Sequence, residues 1–269
     1  MTLLADLVVV FVAGLITGLA TGLGVLPFFL ISDVDDRWLA ILWGLAVGIL
    51  LSASIFGLVL EGLASGPAYQ VVGGVLAGVA LVWLADRAIA NYEVSPREVS
   101  SSAVTPVTLV LTVGVLTIHS IPEGIAVGVA FAELGESADV TVAGVDLPAL
   151  AVVTSVTISI LNVPEGLAIA IPLIAYGLPR WKVVGWAVFS GLPQPIGAVA
   201  AFSFVTAFEG LLPLGFGFAA GALFYLVWFE FLPAGLDHGD EDREENRNRF
   251  AGAAAVGFVG MFVVTLAIG

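Results

Sequence analysis

The chain has 269 residues, 59% hydrophobic and 11% charged, with no cysteine and a mean hydropathy of +1.10. A soluble globular domain is about 25% charged, so a soluble fold is excluded, and without cysteine so are disulfides, thiolate metal sites and cysteine nucleophiles. The formal net charge of −14 is the opposite of the basic footprint that phosphate binding needs, which excludes nucleic acid as a partner.

The few charges are clustered. Runs free of Asp, Glu, Lys and Arg cover 7–32, 38–60, 62–85, 183–208, 210–229 and 250–269, and a bilayer-spanning helix needs about 20 largely apolar residues. The ten-residue alternation of a membrane β-barrel is absent. The pattern predicts an all-α polytopic membrane protein, a single domain over 1–269, with eight transmembrane helices near 4–30, 38–61, 69–91, 103–132, 147–176, 183–208, 211–234 and 250–268. The first run follows Met1-Thr-Leu-Leu-Ala-Asp6, which lacks a basic n-region, so it reads as a retained span. Glycines lie inside the spans (Gly14, Gly18, Gly22 and Gly24; Gly73, Gly74 and Gly78). Small residues let membrane helices approach closely, which predicts a tight bundle and is compatible with a homodimer.

Orientation follows from the basic residues. Arg37, Arg87, Arg97, Arg180, Lys182, Arg243, Arg247 and Arg249 all fall in loops on one side, whereas the opposite loops hold Glu61, Glu133, Glu136, Asp139, Asp146 and Glu209. The positive-inside rule then puts both termini outside, and the expected location is the cell membrane. Trp38 and Trp181, beside Arg37 and Lys182, suit an interfacial belt.

The fourth and fifth spans carry ionisable groups deep inside. Thr117-Ile-His-Ser-Ile-Pro-Glu-Gly-Ile-Ala and Ser159-Ile-Leu-Asn-Val-Pro-Glu-Gly-Leu-Ala form an internal repeat that sets Glu123 against Glu165. A carboxylate at the bilayer centre costs on the order of 3 kcal/mol or more. Two at matching positions repel unless a cation or protons lie between them. His119 and Glu123 are four residues apart and Asn162 and Glu165 three, so each pair shares a helix face. Pro122 and Pro164 remove one helical hydrogen bond each, loosening the turn beside the carboxylate. One imidazole and two carboxylates make a mixed nitrogen and oxygen ligand set of charge −2, which matches Zn2+ or a neighbouring divalent metal. A proton relay is the competing use of the same groups.

These two helices resemble the fourth and fifth spans of the ZIP (ZRT/IRT-like) metal-ion transporters. Ala20-Thr-Gly-Leu-Gly-Val-Leu-Pro, Gly44–Ser54, Ser190-Gly-Leu-Pro-Gln-Pro-Ile-Gly and Ala219-Ala-Gly-Ala-Leu-Phe-Tyr-Leu-Val-Trp-Phe-Glu are similar to its GufA-like branch. The resemblance covers essentially the whole chain. It implies eight spans with both termini outside, a two-metal centre between spans four, five and six, and elevator-like movement of spans one, four, five and six. His119, Glu123 and Glu165 match the family's ligands. Ser120 stands where Asn is usual, Leu161 where Gln or His is common, Asn162 where some members have Asp, and Gln194 where a bridging Glu stands. These departures remove charge and a donor, so one tight metal is expected rather than two, with Ser120, Asn162 and Gln194 as further ligand or pathway positions. Glu230 matches an acidic position near the inner end of span seven. His238 lies in an acidic loop, where it could hold metal loosely after release.

The implied activity is secondary transport of a divalent transition metal into the cytoplasm, with Zn2+ favoured over Fe2+, Mn2+, Co2+ or Cd2+. The metal is cargo; no cofactor is expected. Metal sensing and proton-coupled carriage are alternatives on the same carboxylates. An intramembrane metalloenzyme lacks support, since neither His-Glu-x-x-His nor Gly-x-Ser-x-Gly occurs.

Overall fold

The computed structural model describes residues 3–30, 36–90, 106–135, 140–236 and 243–268. Within them the chain is a bundle of eight helices. Helix α1 (Leu3–Ala20) tightens into a 3₁₀ segment (Thr21–Phe29). Helix α2 (Asp36–Ser52) passes through a π segment (Ala53–Val59) and ends at Leu60–Ser65. Then come α3 (Ala68–Ala90), α4 (Pro106–Ala130) and α5 (Ala149–Ala175). Helix α6 is in two pieces (Arg180–Gly191 and Pro193–Ala207). Helix α7 (Leu212–Leu226) has a π segment (Val227–Phe231) before Leu232–Leu236, and α8 spans Arg243–Ile268. Helices α1, α2, α3, α5, α6, α7 and α8 are long and apolar enough to cross a membrane. Helix α4, 25 residues long, carries His119 and Glu123.

Burial sorts the helices into centre and rim. The apolar windows of α7 and α5 are 67% and 61% buried, those of α3 and α8 only 22% and 17%. The rim therefore turns Leu76, Leu84, Val256 and Leu266 outward, which water would not tolerate but lipid does. Trp181, three-quarters exposed, stacks edge-on against Phe29 with ring centroids 4.8 Å apart.

Three features differ from the sequence expectation. Helix α6 is broken at Leu192, because Pro193 has no N–H to continue the ladder and the amide of Leu192 closes a tighter turn onto Phe189 O (3.2 Å). Helix α8 starts at Arg243 rather than near residue 250, so Arg243, Arg247 and Arg249 are helical and not loop. Its first turn carries Glu244 and Glu245, which complement the helix dipole, and Arg249 pairs with Glu245 one turn away. Finally, Val140–Val142 and Val145–Leu147 form a small antiparallel hairpin. Its turn residues Ala143 and Gly144 both have positive φ (51° and 83°), as a type I′ turn requires.

The glycines show how the bundle is organised. A Cβ on Gly18 would collide with the backbone of Gly191, on Gly124 with Gln194, and on Gly166 with Thr21, so α1, α4, α5 and α6 meet backbone to backbone. Likewise Gly48 meets Ala254, Gly74 meets Leu214 and Gly221 meets Val75, which joins α2 to α8 and α3 to α7. Between these two four-helix units the glycine contacts are of another kind. Gly57 faces the Leu150 side chain and Gly215 the side chains of Val205 and Val129.

Candidate metal centre

Each Pro-Glu-Gly motif seats its helix on a neighbour. Gly124 lets α4 press onto the broken middle of α6, which brings Glu123 against Gln194, and Gly166 lets α5 press onto Thr21 where α1 becomes 3₁₀. The carboxylates thus come from two helices into the interior of one unit, with Glu123 wholly buried and Glu165 2% exposed.

There the two carboxyl groups lie side by side, an arrangement that calls for a shared proton or, in its place, a cation. Gln194 Nε2 donates to Glu123 Oε2. Asn162 and Gln194 pair reciprocally: Asn162 Nδ2 donates to Gln194 Oε1 and Gln194 Nε2 to Asn162 Oδ1, both at 3.2 Å. Asn162 Nδ2 also donates to the carbonyl of Thr17 on α1 (2.5 Å). Ser120 Oγ donates to Ser190 O on α6 (2.7 Å). One network therefore ties α1, α4, α5 and α6 around the carboxylates. Glu123 Oε1 and Glu165 Oε1 remain buried without a partner. An unpaired buried carboxylate oxygen costs several kcal/mol, and a cation between the two would satisfy both.

His119 is buried on the same helix, but its ring turns the other way. Its Nε2 donates to Asp86 Oδ1 on α3 at 2.8 Å. Tyr225 on α7 also lies beside Asp86. Donor atoms of Asp86, His119 and Glu230 all lie within 4.8 Å of one another. Glu230 reaches this group from within the π segment Val227–Phe231, whose wider turn takes in an extra residue and shifts the later side chains along the helix face. Asp86 and Glu230 are half-buried, so this cluster lies nearer the surface than the carboxyl pair.

Of the residues singled out in the sequence, the structure thus gathers Glu123, Glu165, Asn162 and Gln194 in one place. It puts His119 and Glu230 in a second cluster and Ser120 between α4 and α6. Leu161 is buried in the apolar core and offers no donor. His238, Glu136 and Asp139 lie outside the described residues. Asp86 and Tyr225 were not anticipated. The signal for Asp86 was present, since a carboxylate falls inside the predicted third span, where an ionisable side chain marks function.

The family model described as ZIP Zinc transporter matches residues 92–265. Zinc transporter GufA of Myxococcus xanthus is 30% identical over 272 residues, 96% of each chain. Zinc transporter ZupT of Corynebacterium glutamicum is 35% identical over 245 residues, 84% of this chain and 88% of its own. A protein of Arabidopsis thaliana is 36% identical over 249 residues, and there the chain spans only 36% of the longer relative's length.

Proposed function

Since this chain belongs to the ZIP zinc transporter family, a family of transporters and not of enzymes, we propose that it carries a divalent transition metal, Zn2+ first, into the cytoplasm through the buried Glu123–Glu165 pair. The observation that carries this reading is the pair itself: two buried carboxyl groups from repeated motifs, each with one oxygen unpartnered. In this reading the metal replaces the shared proton, and Glu123, Glu165 and a His119 turned back along its helix face hold it. Two carboxylates of charge −2 neutralise one divalent ion. Gln194 donates a hydrogen bond to Glu123 where a further carboxylate would bring the charge for a second ion, and Leu161 adds no donor. Charge balance therefore sets the stoichiometry at one metal.

Asp86, His119 and Glu230 form the next station. His119 is shared by both, so its ring can pass metal from the carboxyl pair toward Asp86 and Glu230. The predicted orientation, with basic residues facing the cytoplasm and eight spans, puts this station on the cytoplasmic side in a cell membrane. The glycine contacts support an elevator. Helices α1, α4, α5 and α6 are interlocked through their backbones, as are the pairs α2–α8 and α3–α7, whereas Gly57 and Gly215 meet only side chains across the boundary, a surface that can slide. An inside-negative potential favours import of a +2 ion by about 4.6 kcal/mol per 100 mV when the site's charge stays in place.

The test is uptake of radiolabelled Zn2+ into proteoliposomes by the wild type, Glu123→Gln and Glu165→Gln. Saturable uptake that both substitutions abolish is expected. Uptake that survives either one refutes the site.

A further inference from the structure

We infer that Thr21, on α1, is a metal-contacting residue of the carboxyl site, its hydroxyl supplying a third oxygen to the cation between Glu123 and Glu165. The inference rests on the reading of that pair as the transport site and adds a residue from a helix that carries no other side-chain ligand to it.

Thr21 is 1% exposed, and its Oγ1 is buried without a partner. Among the described residues Ser52 and Ser54 on α2 and Ser155 on α5, ten residues before Glu165, share that state, whereas other helical hydroxyls are partnered. Thr17, Thr117, Ser159, Thr206 and Thr265 each return their hydroxyl to a backbone carbonyl three or four residues earlier. For Thr21 the carbonyl one turn back is that of Thr17, and it receives the Asn162 amide. The ordinary resting place of the Thr21 hydroxyl is therefore shared with a neighbour that belongs to the site.

Its position follows from register. Helices α1 and α5 are in contact twice along their length: Thr17 O meets Asn162, and Thr21 O meets Gly166 four residues further along both helices. Glu165 lies between those two contacts. Thr21 thus stands at the level of Glu165, and the unpartnered oxygens Thr21 Oγ1, Glu165 Oε1 and Glu123 Oε1 come from three helices, α1, α5 and α4, that pack on one another. A buried hydroxyl without a partner costs about 1–3 kcal/mol. Drawn onto one ion, three such oxygens would make a cradle for a cation that accepts oxygen ligands.

The chemistry predicts selectivity as well as affinity. With His119 turned back, the site offers one nitrogen and three oxygens, a set that suits Zn2+, Mn2+ and Co2+ better than a soft ion such as Cd2+. The experiment measures Zn2+ and Cd2+ uptake into proteoliposomes for wild type, Thr21→Val, Thr21→Ser, Thr21→Cys and Glu165→Gln. Thr21→Val keeps the shape and removes the hydroxyl; it is expected to raise the KM for Zn2+ about tenfold. Thr21→Ser restores the wild-type KM. Thr21→Cys raises the ratio of Cd2+ to Zn2+ uptake, because sulfur is the softer donor. Should Thr21→Val fail to assemble as a monodisperse protein, the ratio in Thr21→Cys decides alone. Wild-type KM in Thr21→Val together with an unchanged ratio in Thr21→Cys overturns the role of Thr21, with Glu165→Gln still inactive. Uptake that persists in Glu165→Gln overturns the carboxyl site, and the role of Thr21 with it.

Discussion

Replacing Gln194 with Glu tests the charge argument most directly. Gln194 is wholly buried, donates through Nε2 to Glu123 Oε2, and exchanges hydrogen bonds with Asn162. The substitution removes the donor to Glu123 and puts a third carboxylate against it. At about 4 Å and an effective dielectric of about 20, two such charges repel by about 4 kcal/mol. Without metal the new group must take up a proton or the site must open, so the metal-free variant is expected to melt well below the wild type. With metal in excess the site charge becomes −3, so a first divalent ion leaves a net −1 and a further carboxylate ligand to draw in a second. Elemental analysis of purified, desalted protein and titration calorimetry are expected to give one Zn2+ per wild-type chain and two per Gln194→Glu chain, with the thermal deficit recovered at saturating Zn2+. One metal per chain in the variant at saturation refutes the claim that missing charge limits this site to a single ion.

Asp86→Asn is expected to leave the KM for Zn2+ near the wild-type value and to slow turnover about tenfold, because it weakens the second station and not the first; a raised KM with normal turnover contradicts that division. Zinc binding should release protons from the Glu123–Glu165 contact, since ligands must be deprotonated; calorimetry in buffers of different ionisation enthalpy measures this, and the release should shrink in Glu165→Gln. The adjacent glycines of α3 should behave oppositely: an added Cβ on Gly74 runs into Leu214 O whereas Gly73 has nothing within 4 Å. Gly74→Ala should cost about 1–3 kcal/mol or more of overpacking and Gly73→Ala nothing measurable in thermal unfolding. Because the chain has no native cysteine, bifunctional thiol reagents can pin chosen pairs. Pinning Gly57→Cys to Leu150→Cys across the two units should stop uptake, while pinning Phe56→Cys to Phe262→Cys, whose rings lie 4.6 Å apart within one unit, should spare most of it.

The helices were legible because a membrane span is written in composition: a run of apolar residues must form its own hydrogen bonds as a helix wherever it meets lipid. The local departures were not, because they depend on single bonds. The break in α6 could be read from Pro193, but the π segments of α2 and α7 have no residue signature, and it is within the second of these that Glu230 comes beside Asp86. The two Pro-Glu-Gly motifs singled out Glu123 and Glu165, both of which are buried in the bundle, since a repeated carboxylate in a membrane interior has few structural uses. Helical spacing also placed His119 on the face of Glu123. Spacing fixes a face and not a rotamer, however, and the ring had a second acidic partner 33 residues away in sequence. Gln194 was visible as a missing charge, whereas its part as donor to Glu123 needed the pairing with Asn162 that orients its amide. The interior thus divides its work. Amides and backbone carbonyls, which carry no net charge, hold α1, α4, α5 and α6 together around the carboxyl pair. The −2 of that pair is then left to be met by whatever cation or proton enters, and the occupant can change while the scaffold stays.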